Sequence, residues 1–432
     1  MGMKMYIRNS KVMLVLTVAA LMLPSLSLAE EKSSSNLIGA NVQELLIWAD
    51  THNPELLAMR YETDAASERI APAGALPDPL LRVQFEDFAG KDAPDGFNPL
   101  PGKGSGTKYT LMQSFPLWGK LDLRKEVATA QFEQYKGRRL VAIAETHARI
   151  KNAYAQYFQT VGLKLLSEDI LNLFRDLESV TRIRYASGLV PQQDVIRAQV
   201  EKTTLQSEII NLEAEQQQAQ ARLNAILGRS QNAPLSEAPE LRRLPLEKID
   251  GAILKEKLVQ NNPLLASQSA QISAADANKR LIEKNRYPDV TLGIAPTQRG
   301  SNISTWEAML EVNIPIRLDT RRSQENEATA MLDAAKERRN GLENQVMGEL
   351  QENLVAFEAA EKQLRLINNT LLPQAELTFR SALAGYENSK VDFTTLIDAQ
   401  RAIRLARQGQ IKMRVEQEVR FAEIERLIGE DL

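Results

Sequence analysis

The chain has 432 residues, a formal charge of −3, no cysteine and only 5% aromatic residues. Without a thiol, a disulfide and a lipid on an N-terminal Cys are both excluded, and the mildly acidic balance carries no nucleic-acid footprint. Few aromatics beside abundant Ala, Gln, Glu and Arg favour long helices over a bulky core.

Lys4, Arg8 and Lys11 lead into an apolar run from Val12 to Leu23, then Pro24 and the small-residue end Ser27-Leu28-Ala29. This order reads as a secretory signal peptide over 1–29, cleaved before Glu30. The run is too short for a spanning helix, which needs about twenty residues. Cleavage takes the formal charge to −6, because the leader holds three cations and no acids. No later stretch approaches eighteen apolar residues, so any bilayer crossing falls to strands.

A helix is expected from Asn41 to about Ile70, then a strand pair over 80–88 and 107–115. Leu81, Val83 and Phe85 alternate with Arg82, Gln84 and Glu86, and Tyr109, Leu111 and Phe115 share a side. The Gly-, Pro- and Asp-rich stretch Ala89 to Gly106 reads as an exposed loop between them. From Trp118 to Ala186 no Pro occurs, and a helix over that stretch spans about 100 Å. The return path is split into helices Gln192 to Leu227 and Gly251 to Arg286, about 54 Å each, which laid end to end match the long one. The segment 229–250, with Pro234, Pro239 and Pro245, links them. A second strand pair follows over 289–297 and 304–314. There Trp306, Ala308, Leu310, Val312 and Ile314 alternate with Glu307, Met309, Glu311 and Asn313. A second hairpin over 319–428 has Pro373 as an expected kink in its first helix. Its return helix, Thr394 to Ile428, is expected to be continued in space by the N-terminal helix.

The chain repeats itself. Asn53-Pro54 aligns with Asn262-Pro263 and Pro79 with Pro288; further on, Tyr185 aligns with Tyr386, Ala198-Gln199 with Ala399-Gln400 and Gly228 with Gly429. Two copies of one unit, 30–228 and 251–432, are therefore expected around the linker. Alternation over about nine residues suits a lipid-facing, water-lined barrel strand, though a soluble sheet with one wet face alternates too. Four strands cannot close a membrane barrel, since about eight is the minimum, so open edges call for several copies. The long helices, with narrow apolar stripes, call for a coiled-coil assembly.

The duplicated layout, the two Asn-Pro pairs, the turns Tyr185-Ala-Ser-Gly188 and Tyr386-Glu-Asn-Ser389, the Ala-Gln pairs and the Leu-Gly and Ile-Gly ends together resemble the TolC family of outer-membrane efflux proteins. The resemblance implies a mainly α protein with a membrane β-barrel part: a homotrimer with twelve strands, four from each chain, and a long helical barrel reaching into the periplasm. Its partners would be a periplasmic adaptor and an inner-membrane pump of the RND type, with outer-membrane lipid around the barrel and no cofactor. Met112-Gln-Ser-Phe-Pro-Leu-Trp-Gly-Lys120 is similar to the Pro-Gly-Lys start of the long helix in the cation-efflux branch, the CusC and CzcC type, with Trp118 standing where Pro often precedes Gly. That branch implies heavy-metal cations as cargo; the same duct for drugs or a secreted polypeptide is the alternative.

By the same resemblance the hairpin tips, with Tyr185, Gly188, Leu189 and Ser389, close the aperture and meet the adaptor. Asp194 matches a carboxylate that links neighbouring hairpins and Tyr386 its hydroxyl partner; otherwise Asp194 is a helix N-terminal acid favoured by the macrodipole. Asp398 matches the inner of two constriction carboxylates, while Thr395 occupies the outer position; otherwise Asp398 belongs to a solvated face. The family's Arg near the turn is missing here, and Lys390, one residue earlier, is the candidate substitute. An enzyme is disfavoured: His52 and His147 are the only histidines and lack ligand spacing, and neither a thiol nucleophile nor a phosphate loop is present. A periplasmic adaptor would carry one hairpin within lipoyl-like and β-barrel domains, whereas this chain has two hairpins and two amphipathic strand pairs.

Overall fold

The computed structural model describes residues 38–86, 106–236, 239–245, 247 and 249–432. The expected leader and most of the expected first loop lie outside them. The first copy comprises α1 (Val42–His52), α2 (Pro54–Glu68), α3 (Ile70–Ala73), β1 (Leu80–Glu86), β2 (Gly106–Phe115), α4 (Lys120–Ala186) and α5 (Gln192–Ile226). The second comprises α6 (Gly251–Asn261), α7 (Pro263–Lys284), β3 (Val290–Arg299), β4 (Asn302–Val312), α8 (Leu318–Leu366), a π-helical turn (Ile367–Leu371), α9 (Leu372–Glu387) and α10 (Phe393–Ile428).

Each expected first helix is in fact broken at its Asn-Pro pair. Pro54 and Pro263 open new helices, because proline lacks the amide that would continue the preceding one. Asn53 caps α2 by accepting from the amides of Glu55 and Leu56, and Asn262 caps α7 through Leu265. The kink expected at Pro373 takes the form of the π-turn just before it, which relieves the clash between the proline ring and the carbonyl four residues back.

The four strands form one antiparallel sheet in the order β1-β2-β3-β4. Its register aligns Leu81 with Leu111, Leu111 with Ile294 and Ile294 with Ala308, and these rows alternate with Arg82 and Thr110, Lys108 and Thr297, and Ala295 and Glu307. One face is apolar and exposed, including Leu81, Leu292, Ile294, Trp306 and Leu310. On the other, Lys108 reaches across β3 to Glu307 at 2.5 Å. β1 and β4 each leave one edge unpaired among the described residues.

Below the sheet the described residues form no single core but three narrow apolar clusters. One joins α1, α4 and α5 around Leu45, Leu46, Ile150, Tyr154, Tyr157 and Leu223. Another joins α4, α5, α9 and α10 around Phe174, Leu205, Tyr386, Phe393 and Leu396. The third joins α6, α8 and α10 around Leu254, Leu258, Leu350, Phe421 and Ile428.

The short helices do stack end to end, but with exchanged partners. The Asn53 amide donates to the last-turn carbonyl of Ile226 at 2.6 Å, so α5 ends on the α1–α2 junction; Asn262 does the same to Leu427 at 2.7 Å, so α10 ends on the α6–α7 junction. The linker explains the exchange. Its backbone crosses α4 over the hydroxyls of Tyr157 and Tyr154, which bond Ser236 and Glu240, and reaches α10, where Arg242 bonds Glu418 and Glu425. The chain thus changes sides of α4 before starting its second copy. Burial of the Tyr154 phenol pushes its pKa up to about 12, so it stays a neutral hydrogen-bonding post.

Candidate functional site at the hairpin tips

Both hairpins turn in the same way. After Ala186, Gly188 takes a left-handed conformation (φ 71°), and the Leu189 amide bonds back to the Arg184 carbonyl at 2.9 Å. After Glu387, Ser389 occupies the equivalent place at φ 57°, with the Lys390 amide on the Gly385 carbonyl at 2.8 Å. This bond closes the last helical turn by engaging a carbonyl that has no helical partner, and it requires the left-handed residue. Tyr185 and Leu189 are exposed on the first tip, Ser389 and Lys390 on the second.

Arginines staple the two turns together. Arg184 on α4 donates to the Glu387 carbonyl at 2.9 Å and to Ser389 Oγ at 2.7 Å, while its guanidinium lies 4.9 Å from the centre of the Tyr386 ring. Arg197 on α5 donates to Thr394 Oγ1 on α10. Between the staples lies a cleft of about 360 Å³ lined by Arg184, Leu189, Asp194, Arg197, Tyr386 and Asp392, among others.

Asp194 is buried, and Tyr386 is buried beside it. Burial raises the Asp194 pKa above the usual carboxylate range; the negative charge of Asp392 adds to this, and Arg197 opposes it. Burial likewise raises Tyr386, and the Asp194 charge acts in the same direction. Within the chain the Tyr386 hydroxyl faces Thr181 Oγ1 at 3.4 Å. Asp194 and Tyr386 are thus neighbours coupled by charge, and among the described residues no hydrogen bond joins them.

Thr395 lies in the first turn of α10. Its amide and hydroxyl donate to Asp392 at 2.8 and 2.6 Å, which makes Asp392 the cap of α10 and holds its pKa below the usual range. Asp398, one turn further on, is exposed; Arg401 stands 3.6 Å from it and also bonds Glu201 at 3.0 Å. Sequence reasoning missed Arg184, Arg197 and Asp392, because charges on long helices read as solvated faces. It also missed Glu178, buried behind the tip between Lys202 at 2.5 Å and Arg182 at 2.6 Å. The Lys202 bond is the chief reason that its pKa falls to about 2.

A sheet with one apolar face and two open edges, carried on paired helical hairpins, is the architecture of an outer-membrane channel protein, a transport duct and not a catalyst. The chain belongs to the outer membrane efflux protein family, which matches residues 48–229 and 254–430. It is an outer-membrane protein that extends into the periplasm. It is similar to the cobalt-zinc-cadmium resistance protein CzcC of Cupriavidus metallidurans, with 25% identity over 82% of each chain. The nickel and cobalt resistance protein CnrC of the same organism shares 24% identity over 66% of each. Among solved structures, CusC superposes with a TM-score of 0.76 at 16% identity, over 91% of this chain and 93% of that one, so the fold is shared.

Proposed function

We propose that three copies join edge to edge into a twelve-stranded barrel above a helical barrel, a passive duct through which heavy-metal cations leave the periplasm. A periplasmic adaptor and an inner-membrane pump of the RND type would supply the driving force. The observation that carries the trimer is the unpaired pair of edges, β1 and β4, beneath an exposed apolar face: an open edge in a bilayer leaves backbone groups unsatisfied, and closure by further copies removes it. Metal cargo is supported by the relatives CzcC and CnrC, described as metal-resistance proteins. In this reading 30–228 and 251–432 are two efflux repeats joined by an equatorial linker, 229–250. The tips around Tyr185, Gly188, Leu189 and Ser389 meet the adaptor, and Lys390 belongs with the gate residues. Asp194 and Tyr386 hold the resting aperture, and Asp398 with Thr395 faces the constriction.

Three measurements separate the parts of this reading. The mature protein extracted from outer membranes should run as a heat-modifiable trimer; a water-soluble monomer would end the duct reading. Deleting the gene should sharpen sensitivity to cobalt, zinc or cadmium severalfold. Unchanged metal tolerance with raised drug sensitivity would keep the duct and replace the cargo. In planar bilayers Asp398→Asn should weaken block by multivalent cations, and block of equal strength would remove Asp398 from the constriction.

A further inference from the structure

Where β2 hands over to α4, two successive residues adopt left-handed backbone, Trp118 at φ 66° and Gly119 at φ 75°. A left-handed tryptophan is costly, so the surroundings must hold it in place. Its ring stacks on Tyr287 with centroids 5.1 Å apart, and its indole N–H donates to the Pro288 carbonyl at 2.9 Å. Lys120 fixes the turn from below; its buried ammonium donates to the Tyr287 carbonyl at 2.9 Å and to Asp289 at 2.7 Å. Despite this clamping the aromatic pair stays open, with Trp118 52% and Tyr287 40% exposed.

The pair lies between the end of β2 and the start of β3, and Leu117, just after β2, and Ile314 and Ile316, just after β4, are exposed. Just below, the charge changes sign relative to the chain as a whole. Residues 117–125, 279–289 and 316–325 hold ten Lys and Arg against five Asp and Glu, in a protein of net charge −3. These stretches meet: Arg321 donates to the Asn285 carbonyl, and Arg286 bonds Glu325 at 2.7 Å. The Lys284 ammonium stands 5.6 Å from the centre of the Tyr287 ring, and Arg317 and Arg322 are exposed.

We propose that Trp118 and Tyr287, with Lys284, Arg317 and Arg322, form an interfacial site for the headgroups of anionic phospholipid in the periplasm-facing leaflet. It rests on the outer-membrane placement of the strands. Indole and phenol rings favour the headgroup level because they combine an apolar body with a polar edge. Cations one step further from the bilayer core meet lipid phosphates, each contributing to membrane affinity. The place in the sheet argues against a second copy as the occupant. The aromatic pair sits under β2 and β3, the two inner strands, whereas a neighbouring copy would join at β1 or β4; Arg317 and Arg322, which follow β4, flank that joint.

The test uses the full-length mature channel with Trp48→Phe and Trp306→Phe, leaving Trp118 as its one indole. It is reconstituted into phosphatidylethanolamine vesicles with or without phosphatidylglycerol. Trp118 emission should be quenched more strongly by lipid spin-labelled at the headgroup than by lipid labelled deep in the chain. Native mass spectrometry should find phosphatidylglycerol retained, and Lys284→Gln with Arg317→Gln and Arg322→Gln should cut that retention at least fivefold. Quenching only by aqueous acrylamide, or retention indifferent to the three substitutions, overturns the proposal. Trimer content and conductance are measured on the same samples, so an intact channel without lipid preference sinks this inference alone.

Discussion

The two hairpins share one backbone plan and are held by different means. In the first, α4 runs unbroken for 67 residues, the turn uses Gly188, and α5 starts after Pro191 without a side-chain cap. In the second, a π-turn interrupts the long helix, Ser389 takes the left-handed place, and α10 starts on the Asp392 cap. Behind the tip the first hairpin buries Glu178 between two cations, whereas the equivalent position of the second is Phe379, packed on the apolar cluster beneath the tips. Turns and helix ends agree between the copies because backbone geometry leaves few alternatives there; the helix flanks diverge because either charge pairing or apolar packing can join them.

The largest expected difference between the copies lies at their ends. Gly228 and Gly429 are both left-handed, yet an added Cβ at Gly429 would stand 2.7 Å from Pro263 Cδ and 2.8 Å from the Asn261 carbonyl, against 3.1 and 3.2 Å for the equivalent atoms near Gly228. Gly429→Ala should therefore cost roughly 3 kcal/mol from backbone strain and overpacking together. Gly228→Ala should cost about half as much, as its clash is softer. Thermal melts of the two variants followed by helical circular dichroism check the order. Equal shifts would mean that the tighter contact relaxes at no cost.

These glycines also show what could be read from the chain alone. Asn53-Pro54 and Gly228 stood out as separate repeat landmarks, and the fold brings them into one joint, as it does Asn262-Pro263 and Gly429. Repeats and strand alternation were legible because period and spacing are local. The exchange of stacking partners was not, since it depends on where the linker crosses, and Tyr154, Tyr157 and Arg242 carry no local sign of that role. At the tips, Asp194 and Tyr386 were legible only through resemblance. Arg184 and Arg197 stayed hidden because a surface arginine and an inter-hairpin staple look alike in sequence.

A smaller contrast concerns acid. Asp194 on α5 has its pKa raised, chiefly by burial, while Asp392 on α10 has its own lowered, chiefly by the Thr395 hydroxyl. A raised carboxylate binds its proton more readily in the folded state, so it weakens the fold at neutral pH and does so less as pH falls through its folded pKa. The lowered carboxylate behaves oppositely: its contribution persists above the unfolded pKa and is lost only as pH falls through the lower folded value. On mild acidification, just above the ordinary carboxylate range, amide exchange corrected for intrinsic rate should slow around 190–198. Asp194→Asn should abolish the response. Below that range exchange should rise around 393–397 as the cap protonates, and further still near pH 2 as Glu178 leaves Lys202. A tip whose exchange is flat from neutral to acid would show that the burial of Asp194 is released in solution.

The smallest effect is the most discriminating. Ser389 adopts the conformation that Gly188 takes without penalty, which for a serine costs about 1 kcal/mol. Its hydroxyl, however, accepts from Arg184 at 2.7 Å, an exposed charge-assisted bond that contributes about the same. Ser389→Gly should consequently leave stability nearly unchanged, because relieved strain and lost bond cancel. In an Arg184→Ala background the bond is already absent, and the same substitution should stabilise by about 1 kcal/mol. The double-mutant cycle reads the difference directly. If Ser389→Gly shifts both backgrounds alike, the hydroxyl contributes nothing to the latch, and Arg184 acts through the Glu387 carbonyl and the Tyr386 ring alone.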